Sequence, residues 1–383
     1  MKPKIALVVD ALPGLGGAEK VLMAVSEMLP EAPVYTLVYN RRAFAGTVLA
    51  KRQVRTSFIE GMPFVRSQYR KYLPLMPQAI RRFDLSSFEV VVSFSYAVAH
   101  GARTTPGQLH LSYTYTPMRY AWRGFQMDGT RGSTNRLLEG VFKAFRRWDL
   151  ESVSGVDRFA AVSGWIGDWI SRAYRRDAEV IYPPVEVERF RPQAEREAYF
   201  ITVSRLVPHK RVELIIEAFN RLKLPLVVIG DGPEYRRLSR MAGQNVRMLG
   251  FQDDRSVAEL LGRARGYVCA AEEDFGIAMV EAQAAGCPVI AYGRGGALEI
   301  LSENQSGIFF DEQSVESLAQ AVREFEARAR CFDAELLAAS AQRFGRQRFQ
   351  EEFAGFLAEG YPLRAVAPIR PVEALLRQDP RTS

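Results

Sequence analysis

Glu273-Asp274-Phe275-Gly276-Ile277-Ala278-Met279-Val280-Glu281 is the stretch on which the reading of this chain turns. An apolar run, Gly266 to Ala271, precedes it and reads as a buried strand. Phe275-Gly276-Ile277 then reads as the entry to a helix. Helix N-termini present unpaired N–H groups and the positive end of a macrodipole, so they attract anions. Two glutamates eight residues apart flank that entry, and carboxylates accept hydrogen bonds from hydroxyls. A phosphate site bracketed by hydroxyl acceptors suits a nucleotide sugar.

The same strand-to-helix rhythm runs outward from this stretch. Apolar runs at Tyr199–Val203, Leu226–Ile229, Val246–Leu249, Gly266–Ala270, Val289–Ala291 and Ile308–Phe310 read as buried strands. Helical patterns separate them at Arg211–Leu222, Glu234–Met241, Val257–Arg263, Ile277–Ala285 and Val315–Ala327. Such alternation predicts a parallel, doubly wound sheet. The first half repeats the theme, with strands expected at Ile5–Val9, Val34–Leu37, Val90–Phe94, Leu109–Tyr113 and Phe159–Val162. Helices are expected there at Ala18–Leu29 and Asn135–Ser152. Tyr182-Pro183-Pro184 forbids a helix and marks a boundary. The predicted domains are 1–182 and 183–345, followed by a helix at 346–361 and a proline-rich loose tail at 362–383.

Open α/β sheets bind ligands beyond the carboxyl ends of their strands. Gly16-Gly17 follows the first strand of the first half, and Arg205 with Lys210 follows the first strand of the second. Gly230-Asp231-Gly232, Gly250-Phe251, Glu273 to Gly276 and Gly293 to Gly296 follow later strands. Fixed cations such as Arg205 and Lys210 would stabilise a departing diphosphate. Each motif also has a plainer reading. Loop cations are commonly just solvated, glutamates favour helix starts, and Gly14-Leu15-Gly16-Gly17 could be an ordinary turn.

On these motifs the chain resembles the GT-B glycosyltransferases of family 4, whose signature is Glu-x7-Glu. Ser204-Arg205-Leu206 with Lys210 is similar to the family's diphosphate grip. Gly295-Gly296-Ala297-Leu298-Glu299 resembles its Gly-Gly-x-x-Glu loop, and Gly16-Gly17-Ala18-Glu19 its N-terminal glycine loop. Ser163 to Ile170, Tyr182-Pro183-Pro184-Val185 and Arg189-Phe190 resemble the stretch that enters the hinge. Thr116-Pro117-Met118-Arg119-Tyr120 with Trp122 resembles bacterial mannosyltransferases that build O-antigen and exopolysaccharide repeats.

The resemblance covers residues 1 to 360. It implies an α/β fold of the GT-B type, two Rossmann-like domains facing an interdomain cleft, with the last helix crossing back to the first domain. It implies catalytic roles for Glu273, Arg205 and Lys210, with Glu273 on the sugar hydroxyls. Donor-binding positions would be Gly16, Gly17, Gly250, Phe251, Phe275, Gly276, Ile277 and Glu281, the last on the ribose. Tyr115 and Arg119 would lie on the acceptor side. Tyr115 departs from the family, which usually has histidine immediately before Thr-Pro. His110 lies on the opposite strand face by parity, and His100 and His209 fall in no motif.

Composition limits the alternatives. At 383 residues and 48% hydrophobic content the chain holds about two folded domains. Cys269, Cys287 and Cys331 form neither a metal pattern nor a disulfide framework, which fits a reducing cytoplasmic compartment. No signal peptide or spanning segment is legible. Residues 51–82 carry eight basic residues and one acid, which equals the whole net charge of +7. Phe64, Tyr69, Tyr72, Leu73, Leu75 and Met76 interleave with those cations, so an anionic membrane surface is the expected partner, against a plainer reading in which these apolar residues belong to the core and the cations solvate a helix face; no nucleic-acid motif accompanies them.

The expectation is therefore a retaining glycosyltransferase moving a hexose, mannose from GDP-mannose, to a lipid-linked or oligosaccharide acceptor. No Asp-x-Asp triplet occurs, so no metal or other cofactor is expected. A UDP-sugar enzyme of the same fold and a weakly catalytic sugar-nucleotide-binding subunit stay open. A GT-B epimerase would need acid–base side chains that the loops lack.

Overall fold

The computed structural model describes residues 3–122, 136–193, 195–303, 305–328 and 331–360. The predicted tail at 362–383 lies outside the described residues. The chain divides into two compact units. The first comprises the described residues up to Pro184 together with Gln347 to Gly360; the second comprises those from Val185 to Arg346.

In the first unit, seven strands form one parallel sheet in the order β3-β2-β1-β4-β5-β6-β7. They are β1 (Ile5–Val9), β2 (Val34–Thr36), β3 (Val54–Thr56), β4 (Val90–Ser95), β5 (Leu109–Thr114), β6 (Arg158–Ala161) and β7 (Ala178–Val180). The central strands are buried along nearly their whole length, because helices cover both faces of a parallel sheet. Leu7, Val8, Val91, Val92 and Leu111 are fully buried accordingly. The strand order reverses between β1 and β4.

The second unit repeats this plan with six parallel strands, β10-β9-β8-β11-β12-β13. They are β8 (Phe200–Val203), β9 (Leu226–Ile229), β10 (Val246–Gly250), β11 (Gly266–Cys269), β12 (Val289–Tyr292) and β13 (Gly307–Phe310). Here the reversal lies between β8 and β11. Helix Val212–Leu222 buries Leu214, Ile215, Ile216 and Phe219, and Phe200 meets Phe219 and Phe325 edge-on in one core. The predicted helix at Val257–Arg263 starts earlier, at Asp254. Asp253 caps it by accepting from the Ser256 N–H at 2.7 Å, so a polar cap opens the helix ahead of its apolar residues.

The terminal helix, Arg346–Gly360, starts at the end of the second unit and packs into the first. It buries Phe349, Phe353 and Phe356, with the Phe353 ring stacked 6.1 Å from Phe94 and Phe349 edge-on to Tyr113 at 6.0 Å. Arg348 Nη1 donates to the Tyr182 carbonyl at 2.9 Å. Among the described residues, no helix is long and apolar enough to cross a membrane.

Candidate functional site

The reversal point of the second sheet places the loop after β8 beside the loop after β11. At such a point two neighbouring loops diverge to opposite faces and leave a crevice at the carboxyl edge. Lys210 comes from the first loop and Glu273 from the second. Lys210 Nζ donates to both carboxylate oxygens of Glu273, at 2.7 and 2.6 Å. Both side chains are about four-fifths buried, at 23% and 19% exposure. Residues 63 apart in sequence thus form one charged pair at the predicted site.

The surrounding backbone is held by close approaches. Gly230 has φ +135°, and a Cβ there would lie 1.8 Å from the Ser204 carbonyl oxygen. No side chain can occupy that position, so the loop after β9 rests directly on the loop that carries Arg205. Gly230 N–H in turn donates to Gly250 O at 2.8 Å, which links the loop after β10. On the other side, Gly296 N–H donates to Glu273 O at 2.8 Å. A Cβ on Gly296 would meet the Phe275 carbonyl at 2.1 Å. The Gly-Gly-x-x-Glu loop therefore seats the backbone of Glu273 and Phe275.

The remaining candidates of this unit fall into three settings. Arg205 is exposed and makes no ion pair among the described residues. Phe251 is 79% exposed at the end of β10. Gly276 precedes helix Ile277–Ala284 and Ile277 opens it, half-buried. The Phe275 ring, by contrast, is buried edge-on against Phe344 at 5.4 Å, so only its backbone can face a ligand. Glu281 lies on that helix and is bridged by Arg189 Nη2 at 3.5 Å. The same guanidinium contacts Asp254 at 2.5 Å and Glu186 at 3.3 Å. Burial pushes the thiols of Cys269 and Cys287 up to about 12, which leaves them inert.

The first unit has its own reversal point, and a residue with no sequence motif occupies it. Asp10, at the end of β1, is 2% exposed. Its Oδ2 accepts the N–H groups of Tyr96 and Ala97 at 2.6 and 3.0 Å, and its Oδ1 accepts those of Val98 and Ala99 at 2.5 and 2.8 Å. Burial raises the Asp10 carboxyl from its ordinary value, and the N–H groups of Tyr96, Val98 and Ala99 pull it back down. The loop after β4 is thus already wrapped around an internal anion.

Tyr115 follows β5, and its hydroxyl donates to Ala18 O at 2.8 Å in the glycine segment. Burial raises this phenol well above its ordinary value, so it remains a neutral donor. Tyr115 and the Gly16-Gly17 segment are therefore brought together. Arg119 opens the short helix Arg119–Trp122, with its N–H 3.5 Å from Tyr96 O. His110 is a core residue, between Ser93 Oγ at 2.9 Å and Gly155 O at 3.0 Å. Burial lowers it to about 4.

His100 sits between Ser95 Oγ at 2.8 Å and Asp149 Oδ1 at 2.9 Å. This serine–histidine–aspartate chain is almost wholly buried, and Asp149 Oδ2 also accepts from Trp122 Nε1 at 2.7 Å. It ties helix Arg136–Val153 to the loop after β4 and offers no nucleophile to solvent. Among the described residues, no group of three or more His, Cys, Asp and Glu is placed to hold a metal ion.

Residues 185–341 match the family model described as glycosyl transferases group 1. The chain is 29% identical over 202 residues to the GDP-mannose-dependent alpha-(1-6)-phosphatidylinositol monomannoside mannosyltransferase of Mycobacterium tuberculosis, a match covering 44% of this chain and 52% of that protein. It is 32% identical over 124 residues to the N-acetyl-alpha-D-glucosaminyl L-malate synthase of Bacillus anthracis, covering 30% of this chain and 32% of that one. The chain thus spans about half the length, or less, of these relatives. In fold it is similar to Anabaena HepE solved with UDP and glucose, with TM-score 0.70 and 18% identity over 93% of this chain and 99% of that one. The fold is that of the two-domain GT-B glycosyltransferases.

Proposed function

We propose, from a chain whose residues 185–341 form a glycosyl transferases group 1 domain, that this protein transfers a hexose from a nucleotide sugar with retention of configuration and without a metal. The observation that carries the reading is the Lys210–Glu273 pair at the reversal point of the second sheet. There a cation for phosphate and an acceptor for sugar hydroxyls stand side by side. Arg205 and Lys210 would stabilise charge on the diphosphate as the bond between the anomeric carbon and the phosphate oxygen breaks. The acceptor oxygen would bond to the same face of that carbon and pass its proton to the departing phosphate. Glu281 would take the ribose hydroxyls.

Mannose from GDP-mannose is the preferred donor on sequence resemblance and on the mycobacterial relative. The HepE complex supports a UDP-sugar as the alternative. The test is release of nucleoside diphosphate from GDP-mannose and from UDP-hexoses, with and without EDTA, in the presence of lipid-linked and oligosaccharide acceptors. Turnover with one base, insensitive to EDTA, is expected. Binding without turnover on any acceptor would favour a sugar-nucleotide-binding subunit, and strict dependence on a divalent ion would overturn the metal-free mechanism.

We also place the acceptor at a membrane surface, on a smaller patch than the sequence suggested. Arg52 is spent on the Ser26 and Pro30 carbonyls, Arg55 on the Tyr35 hydroxyl at 3.0 Å, and Arg81 on the Trp148 ring. Val65, Leu73 and Met76 belong to the core. Phe64 is 78% exposed and held at φ +54°, with Lys51 and Lys71 exposed in the same segment and the exposed Arg70 and Arg82 lying over the Tyr69 and Phe58 rings. An exposed ring among cations suits an anionic interface, where each basic residue adds about 1 kcal/mol.

Wild-type protein should co-sediment with phosphatidylglycerol vesicles at low salt and be released by high salt. Phe64→Gly relieves the left-handed backbone strain, so it should fold no less stably and still lose vesicle binding. Equal retention on neutral vesicles, or full binding by Phe64→Gly, would remove the patch from the mechanism.

A further inference from the structure

Lys210 has a single charge and two claimants. In the structure its ammonium bonds both oxygens of Glu273. On the reading proposed above, the same ammonium grips the donor diphosphate. The two backbones are pinned: Lys210 N–H donates to Val207 O at 3.0 Å, and Glu273 O accepts the Gly296 N–H. Adjustment therefore falls to the side chains, and lysine's flexible stem is suited to swing a compact charge from one anion to another.

We infer that Glu273 sets the preference of the site for the sugar nucleotide over the bare nucleoside diphosphate, by competing with the diphosphate for Lys210. This rests on the reading that Lys210 is a diphosphate ligand. A diphosphate that draws Lys210 away strips a partly buried carboxylate of its partner, and such a group is costly to leave unpaired. A sugar nucleotide brings hydroxyls that donate to Glu273 and replace what Lys210 withdrew. A nucleoside diphosphate brings none. The product thus pays a penalty that the donor escapes, and re-pairing of Lys210 with Glu273 helps to expel it.

The experiment is calorimetric titration of UDP, GDP and their hexose conjugates, without acceptor, into wild type, Glu273→Gln, Glu273→Asp and Lys210→Ala. Glu273→Gln removes the competing charge at constant shape. It should tighten the nucleoside diphosphate about tenfold, since one lost charge-assisted contact is of that size. It should leave the sugar nucleotide unchanged or weaker, so the ratio between the two dissociation constants collapses. Glu273→Asp shortens the reach to Lys210 and should shift the ratio the same way if the glutamine variant does not fold.

Unchanged or weaker diphosphate binding in Glu273→Gln, with Lys210→Ala impaired, overturns the competition and leaves the functional reading standing. Equal tightening of diphosphate and sugar nucleotide also overturns it, because Glu273 then does not sense the sugar. Unchanged diphosphate binding in Lys210→Ala sinks the functional reading itself.

Discussion

Lys210→Ala is expected to weaken binding of the nucleoside diphosphate by about 100-fold, and Arg205→Ala by about tenfold. The asymmetry comes from their surroundings. Arg205 is exposed and makes no ion pair among the described residues, so its loss removes one charge-assisted contact, worth roughly 1.5–3 kcal/mol before solvent screening weakens it. Lys210 is paired with Glu273, and both are largely shielded from solvent. Its contact with the phosphates is therefore screened far less than that of Arg205, so its loss costs more even though the wild-type complex with a nucleoside diphosphate already leaves Glu273 unpaired. Isothermal titration of UDP and GDP into each variant measures both effects. Equal losses, or a larger loss for Arg205→Ala, would show that the sheltered setting of Lys210 does not strengthen its contact with the phosphates.

Asp10→Asn should be among the most destabilising single changes in the first unit, costing on the order of 3 kcal/mol. Each Asp10 oxygen accepts two backbone N–H groups, so no position around it has room for a donor. An amide in its place points its own N–H groups at two of those four. All four tryptophans, Trp122, Trp148, Trp165 and Trp169, fall in the first unit, so their fluorescence reports its unfolding separately. The urea midpoint followed by tryptophan emission should fall, and donor binding in the folded baseline should persist. An unchanged midpoint would mean that the loop after β4 does not need the buried carboxylate.

Sequence reading anticipated the two parallel sheets because buried parallel strands are uninterrupted apolar runs. The strands it missed, β3 and β7, are Val-Arg-Thr and Ala-Glu-Val at the sheet edges, where one face meets solvent and the run breaks. The site loops were legible because they follow strands whose positions were clear. Which residues touch was not. Lys210 and Glu273 carry motif signals separately, and their pairing arises only when β8 and β11 become neighbours. Asp10 was invisible for a related reason: its four partners lie 86 to 89 residues away and are backbone groups, which leave no mark in sequence. His100 likewise gains its partners from tertiary packing, with Asp149 on a helix far along the chain.

The terminal helix has a consequence for the order in which the molecule is made. Phe349, Phe353 and Phe356 fill the core of the first unit, yet they are synthesised after the whole of the second unit. During translation the second unit has its complete sequence while the first still lacks its last layer against Phe94 and Tyr113. Domains generally fold as units once their residues have emerged. Here the half of the chain that emerges first closes last, and a ribosome that stops before residue 349 leaves its defect in the part already made.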